Sequence, residues 1–154
     1  MTPMKRYVTD PIELPARGTG APAFYRADLV FYGVDHSGPS YEGRVFVNAP
    51  RANASTPRDD PSYAGSYYVF GHGGCFGDAG HCDVPTAAPD PFDLRPAHQL
   101  TPATKTVIVT NALKRIVRDD DEAITVTIVA VTREGDEDDV LALDTVRLLT
   151  YEWD

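Results

Sequence analysis

The stretch "AITVTIVAV" (123–131) alternates in the way a β-strand requires. Ile124, Val126, Ile128 and Ala130 fall on one side, and Thr125, Thr127 and Val129 on the other. Such a period of two predicts a strand with one face in the core. The same texture, rich in Val, Ile, Tyr, Phe and Thr, recurs at 27–34, 43–48, 65–70, 105–110 and 140–150, with glycines and prolines between the runs. Leu29, Phe31, Val45, Val47, Val107, Val109, Ile124, Val126 and Ile128 are the expected core. One segment breaks the period: "TNALKRIV" spaces Ala112, Leu113, Ile116 and Val117 for a short helix near 110–117, with Thr110 or Asn111 as its N-cap and basic residues toward its end. The pattern predicts an all-β fold, an antiparallel sandwich of jelly-roll type with about 6–8 strands and one short helix. An amino-terminal arm (1–23) precedes a single domain (24–154).

At 154 residues the chain suits one core. Its 14 Lys and Arg against 23 Asp and Glu give a net charge of -9, a field that repels phosphate backbones and anionic lipid, so neither nucleic acid nor membrane is an expected partner. No apolar run nears the roughly 20 residues of a membrane helix, and "MTPMKRYVTDPIELP" lacks the apolar stretch of a secretory signal. The expectation is a soluble chain, cytoplasmic if residue 1 is the natural start. The acidic runs "RDDDE" (118–122) and "REGDEDD" (133–139) lack the ligand spacing of a calcium loop and are expected to be solvated turns. The proline-rich segments 48–65 and 83–102 are long connections, of a length associated with function or mobility.

Candidate chemistry concentrates in "YAGSYYVFGHGGCFGDAGHC" (63–82), with six of the twelve glycines, both cysteines and two of the four histidines. Its glycines do not follow the dinucleotide-binding spacing, no Gly-Lys-Ser/Thr follows, and no serine stands in a nucleophile elbow, which argues against phosphate cradling and serine hydrolysis. His72, Cys75, His81 and Cys82 are donors of the kind that bind zinc or copper. Their spacing is not a usual paired-ligand pattern, and three readings stand side by side. These are a metal site, a Cys75–Cys82 disulfide closing the loop in an oxidising compartment, and two free thiols with the histidines bonded to backbone. His36 and His98 sit on separate loops with no neighbour in sequence to act with, and read as ordinary.

Several segments in order resemble the carboxy-terminal β-sandwich domain of type-3 copper proteins, the group of plant polyphenol oxidases, tyrosinases and molluscan haemocyanins. "YEGRVFVNAP" looks like the strand bearing Lys-Phe-Asp-Val in plant polyphenol oxidases, here Gly43-Arg44-Val45-Phe46. "YAGSYYVFGHGG" is similar to the haemocyanin strand that runs from Ala-Gly-Thr-Phe to Leu-Gly-Gly, with Phe70 for the leucine and His72 for the second glycine. "FDLRPAHQLTPATKTVIVTNALKRI" and "DDDEAITVTIVAVTREGDEDDVLALDTVRLLTYE" resemble the stretch leading to the short helix and the closing strands. Together these span about 24–152.

The resemblance implies a non-catalytic domain that covers, regulates or helps mature a tyrosinase-like dicopper domain, in the same precursor or as a separate chain. A dicopper centre needs six histidines, and this chain has four. In the family one side chain of this domain enters the mouth of the copper site. The resemblance puts Phe70 in that role; read from the residues alone, Phe70 is equally an ordinary core phenylalanine at a strand end, in which case Tyr68, His72 or Phe76 is the outward-facing candidate. Two further readings are a copper-binding or copper-delivery module using His72, Cys75, His81 and Cys82, and a metal-dependent enzyme built on the sandwich. No bound cofactor is expected, and copper is the one candidate.

Overall fold

The computed structural model describes residues 2–15, 24–72, 92, 101–133, 135 and 138–152. Its elements run β1 (Arg6–Val8), β2 (Ile12–Glu13), β3 (Arg26–Val34), β4 (Tyr41–Val47), β5 (Tyr63–Val69), β6 (Ala103–Ile108), α1 (Thr110–Ile116), β7 (Ala123–Ile124), β8 (Val126–Val131) and β9 (Thr145–Tyr151). All pairings are antiparallel. β1-β8-β4-β5 form one sheet and β6-β3-β9 another, with β2-β7 as a separate pair. The six strands of six or more residues fall in the six runs the alternation predicts, except that β9 starts at Thr145 and leaves 140–144 outside it. Three short ones are added, two of them from the stretch expected as an amino-terminal arm, where β1 lies against β8 in the register Tyr7↔Ile128.

The core lies between the four- and three-stranded sheets. Leu29 and Phe31 of β3, Val45 and Val47 of β4, Val107 of β6 and Ile128 of β8 belong to one buried cluster, and the Phe31 ring meets that of Tyr67 on the opposing sheet at 4.8 Å between centroids. All nine residues expected in the core are buried. Tyr67 also lies over Gly43, its cross-strand partner, where an added Cβ would overlap the ring, so glycine is needed at that point for the close approach.

Three expectations change. The run 123–132 is not one strand. At Thr125 it exchanges partners, because Asn48, at φ 55°, donates its backbone N–H to Thr125 O (2.9 Å) and accepts from Thr125 N through its side chain (3.0 Å). Nor does β8 have only one buried face, since every residue from Val126 to Val131 is buried. Val129 and Val131 form a second apolar cluster with Phe46 and Ala52, and Ala49, Ala54 and Tyr63 pack on it.

The proline-rich connection 48–62 is thus a cover for the outer face of the sheet. It is held by local turns in which Asn53 Oδ1 accepts from Ser55 N and Asp60 Oδ1 accepts from Ser62 N. Arg6 and Arg44 tie it to the sheet by donating to the carbonyls of Ala52 and Ala54, both at 3.0 Å. Finally, α1 is preceded by Val109 and has no side-chain cap. The Thr110 hydroxyl instead accepts from Ala27 N (2.9 Å), fixing the helix to the start of β3.

Candidate functional site

Among the described residues β5 is an edge strand, and its sequence sorts its side chains to two sides. Tyr67 and Val69 turn into the core, while Tyr68 is 62% exposed and Phe70, just past the strand, is 84% exposed. A core role for Phe70 is therefore ruled out. The ring is presented from a firmly held backbone: Gly71 N donates to Ser40 Oγ (2.9 Å), and His72 N donates to His36 O (3.0 Å). Gly71 presses against the backbone of Gly38 and Pro39, where any Cβ would collide with main-chain atoms that cannot yield. Glycine at this position lets the 36–40 turn and the chain after β5 lie side by side.

That contact unites two histidines 36 residues apart in sequence. His36 Nδ1 and His72 Nδ1 are 3.2 Å apart, and His36 Nε2 lies 2.7 Å from Thr101 O. His36 is half-buried and His72 exposed. His36, expected to be ordinary, thus has a partner that no local spacing could reveal. The turn before it is set by Asp35, whose carboxylate accepts from Ser37 N (2.8 Å), a bond that holds its carboxyl below the usual range. A cleft of about 380 Å³ runs beside His36, lined by Gly33, Asp35, Pro102 and Asp144 among others. Of the other candidates, Phe76, Cys75, His81 and Cys82 lie outside the described residues, as do therefore both cysteines of the expected loop disulfide and three of the four donors of the expected metal site, His72 being the fourth. Among the described residues no group of three or more His, Cys, Asp or Glu is gathered.

Beside Tyr68, a network that sequence reasoning missed stiffens the outer face. Glu42, directly across from Tyr68, receives bonds from Ser66 Oγ (2.6 Å), Arg58 Nη2 (2.7 Å) and Arg44 Nε (3.1 Å), and its side chain is 10% exposed. The alternate positions 42, 44 and 66 on paired strands were the available signal. Burial pushes the Glu42 carboxyl up, but the bonds from Ser66, Arg58 and Arg44 outweigh it, and the group is held below its ordinary value. Because the folded-state value lies below the unfolded one, Glu42 contributes stability above about pH 4.3, and that contribution is lost as pH falls through the folded-state value. Glu42→Gln is expected to lower stability at pH 7 by about 1–3 kcal/mol, with the gap to wild type closing in acid. Urea unfolding at pH 7 and pH 3 checks it, and an equal gap at both would refute the charge-based account.

The chain matches no protein-family model and no curated protein. Solved structures share its fold. Latent aurone synthase, a polyphenol oxidase, from natural source superposes with TM-score 0.57 and 20% identity over 96% of this chain and 25% of that one. The recombinantly expressed latent enzyme gives 0.57 and 18% over 97% and 26%. The recombinant form co-crystallised with hexatungstotellurate(VI) and soaked in H2O2 gives 0.58 and 16% over 99% and 26%. The chain spans about a quarter of the length of each, and at these identities the likeness is one of fold. Among the described residues no helix is long and apolar enough to cross a membrane.

Proposed function

We propose that this sandwich is a shielding domain for a tyrosinase-like dicopper domain, carried in the same precursor or met as a separate chain, and that Phe70 is the side chain that occupies the mouth of the copper site. The observation that carries the reading is Phe70 itself: an aromatic ring, 84% exposed, on a backbone anchored at Gly71 and His72. Phe70 and Tyr68 stand exposed together at the end of β5, and a ring presented from an anchored backbone has the shape to enter a pocket that accepts phenols. Exclusion of substrate by a steric plug requires no catalytic group on the plug. The fold supports the same reading, because the structures it matches are of a polyphenol oxidase in a latent form, and the match covers a quarter of that chain. Tyr68, exposed on the same side of β5, would form the rim around the inserted ring.

The test is Phe70→Ala in the chain assembled with its dicopper domain. Burying a phenylalanine is worth about 1.5–3 kcal/mol, so its removal should raise phenol oxidation by the assembly about tenfold or more. The stability of the chain alone should stay within about 0.5 kcal/mol of wild type. Unchanged oxidation together with unchanged assembly would remove Phe70 from the role.

A further inference from the structure

We infer that His36 and His72 form a binding site for a first-row divalent metal ion that prefers imidazole ligands, zinc or copper in class, with both Nδ1 atoms as donors. The ring arrangement carries the inference. A straight Nδ1–H···Nδ1 hydrogen bond of this length would set the ring centres about 5.5 Å apart. Two lone pairs converging on one ion about 2.0–2.1 Å from each nitrogen would bring them to about 5.0 Å, with an N–metal–N angle of about 105°. The nitrogens are 3.2 Å apart and the ring centroids 5.0 Å apart, with the planes at 66°. The pair has the bent disposition of two ligands sharing an ion.

The surroundings prepare it. Thr101 O, 2.7 Å from His36 Nε2, accepts a hydrogen bond from the Nε2–H tautomer, which leaves Nδ1 with a free lone pair, the role an outer carbonyl plays for a ligating histidine. His72 is exposed, so its ring can carry its proton on Nε2 in water while Nδ1 turns to the ion. The ion displaces the proton otherwise shared between His72 Nδ1 and the two atoms it faces at 3.2 Å, His36 Nδ1 and His36 O. The backbone is fixed before the ion arrives, because Gly71 lets the two segments touch and His72 N already bonds to His36 O. Two protein nitrogens leave the remaining positions to solvent, so the site is open rather than closed. It requires neither Cys75, His81 and Cys82 nor any shielding role.

The probe is Zn(II) alone, titrated into the whole chain and into a Cys75→Ser/His81→Ala/Cys82→Ser variant that removes the other candidate donors. Both should bind one ion through this pair, with the imidazole ¹⁵N resonances of His36 and His72 shifting at Nδ1. His36→Gln and His72→Gln, which keep polar side chains on surface positions, should each weaken the Nδ1-linked binding at least ~10-fold without changing the circular dichroism spectrum. Zn(II) binding that is unaffected by either substitution, that shifts Nε2 instead, or that vanishes in the triple variant would overturn the assignment. So would failure of the chain to bind.

Discussion

Phe31→Ala is expected to destabilise the chain by about 3–5 kcal/mol. Phe31 is fully buried at the middle of β3, and β3 is bonded on both sides, to β6 and to β9, so the backbone has no freedom to collapse into the space the ring leaves. The ring also faces Tyr67, whose hydroxyl is buried and, like that of Tyr41, makes no hydrogen bond of good geometry, the two phenols being left to each other's company in the core. Burial pushes the Tyr41 phenol up to about 12 and that of Tyr67 above its ordinary value as well, so both stay neutral and their cost is that of polar groups in an apolar place. Loss of the Phe31 ring also removes its tilted ring contact with Tyr67, 4.8 Å between centroids. Urea unfolding followed by fluorescence measures the change, and a loss under 1 kcal/mol would mean that the two sheets do not pack through this residue. Set beside Phe70→Ala, with nearly no expected effect on stability, the pair separates a core ring from a presented one. Alternation along the chain assigns both only to strands.

The strands were legible because a half-buried sheet imposes a period of two on the chain, and that period survives in Leu29, Phe31, Val45, Val47 and Ile128 whatever their partners. The partners themselves left fainter marks. Thr125 suits a strand as well as its neighbours do, so nothing in its type shows that β7 and β8 part company there. The cause is Asn48, 77 residues away, whose positive φ and side-chain bond intervene. Val129, apolar on the second face of β8, is a hint that something covers it, but proline-rich composition marks the segment 48–62 only as a long connection and not as the cover. Thr110 and Asn111 both suit a helix cap by type, but neither caps α1, and the Thr110 hydroxyl accepts from Ala27 N instead.

The site divides in the same way. Phe70 is singled out by the resemblance, and its residue type at a strand end fits a buried place as well as an exposed one; what decides is the turn at Gly71, which leaves the ring 84% exposed. His36 and His72 could not be paired at all, because what joins them is the backbone contact at Gly71, and a glycine before a histidine has many explanations. Residues that act through their own strand are readable in sequence. Those that act through a contact between distant turns are not.

Ile128→Ala should cost about 2–5 kcal/mol, toward the upper end of that range. β8 is flanked by β1 on one side and β4 on the other, and Ile128 stands in register with Tyr7 and with Val45, so the site cannot relax without disturbing two neighbours. Its side chain is fully buried between the sheets, while the adjacent Thr127 and Val129 are buried on the opposite face under the 48–62 segment. A slip of one residue would exchange these two sets and place the Thr127 hydroxyl in the main core, which is why the register is strongly specified. The same register matters to the presented face. β8 holds β4, β4 holds β5, and β5 ends at the turn that bears Phe70 and His72. Because the cavity left by Ile128→Ala lies inside the sandwich and not at that turn, the variant should unfold at lower urea with an unchanged slope, and while folded it should retain the Nδ1 resonances of His36 and His72. A near-zero change in stability would place Ile128 outside the core and with it overturn the register that orients β5.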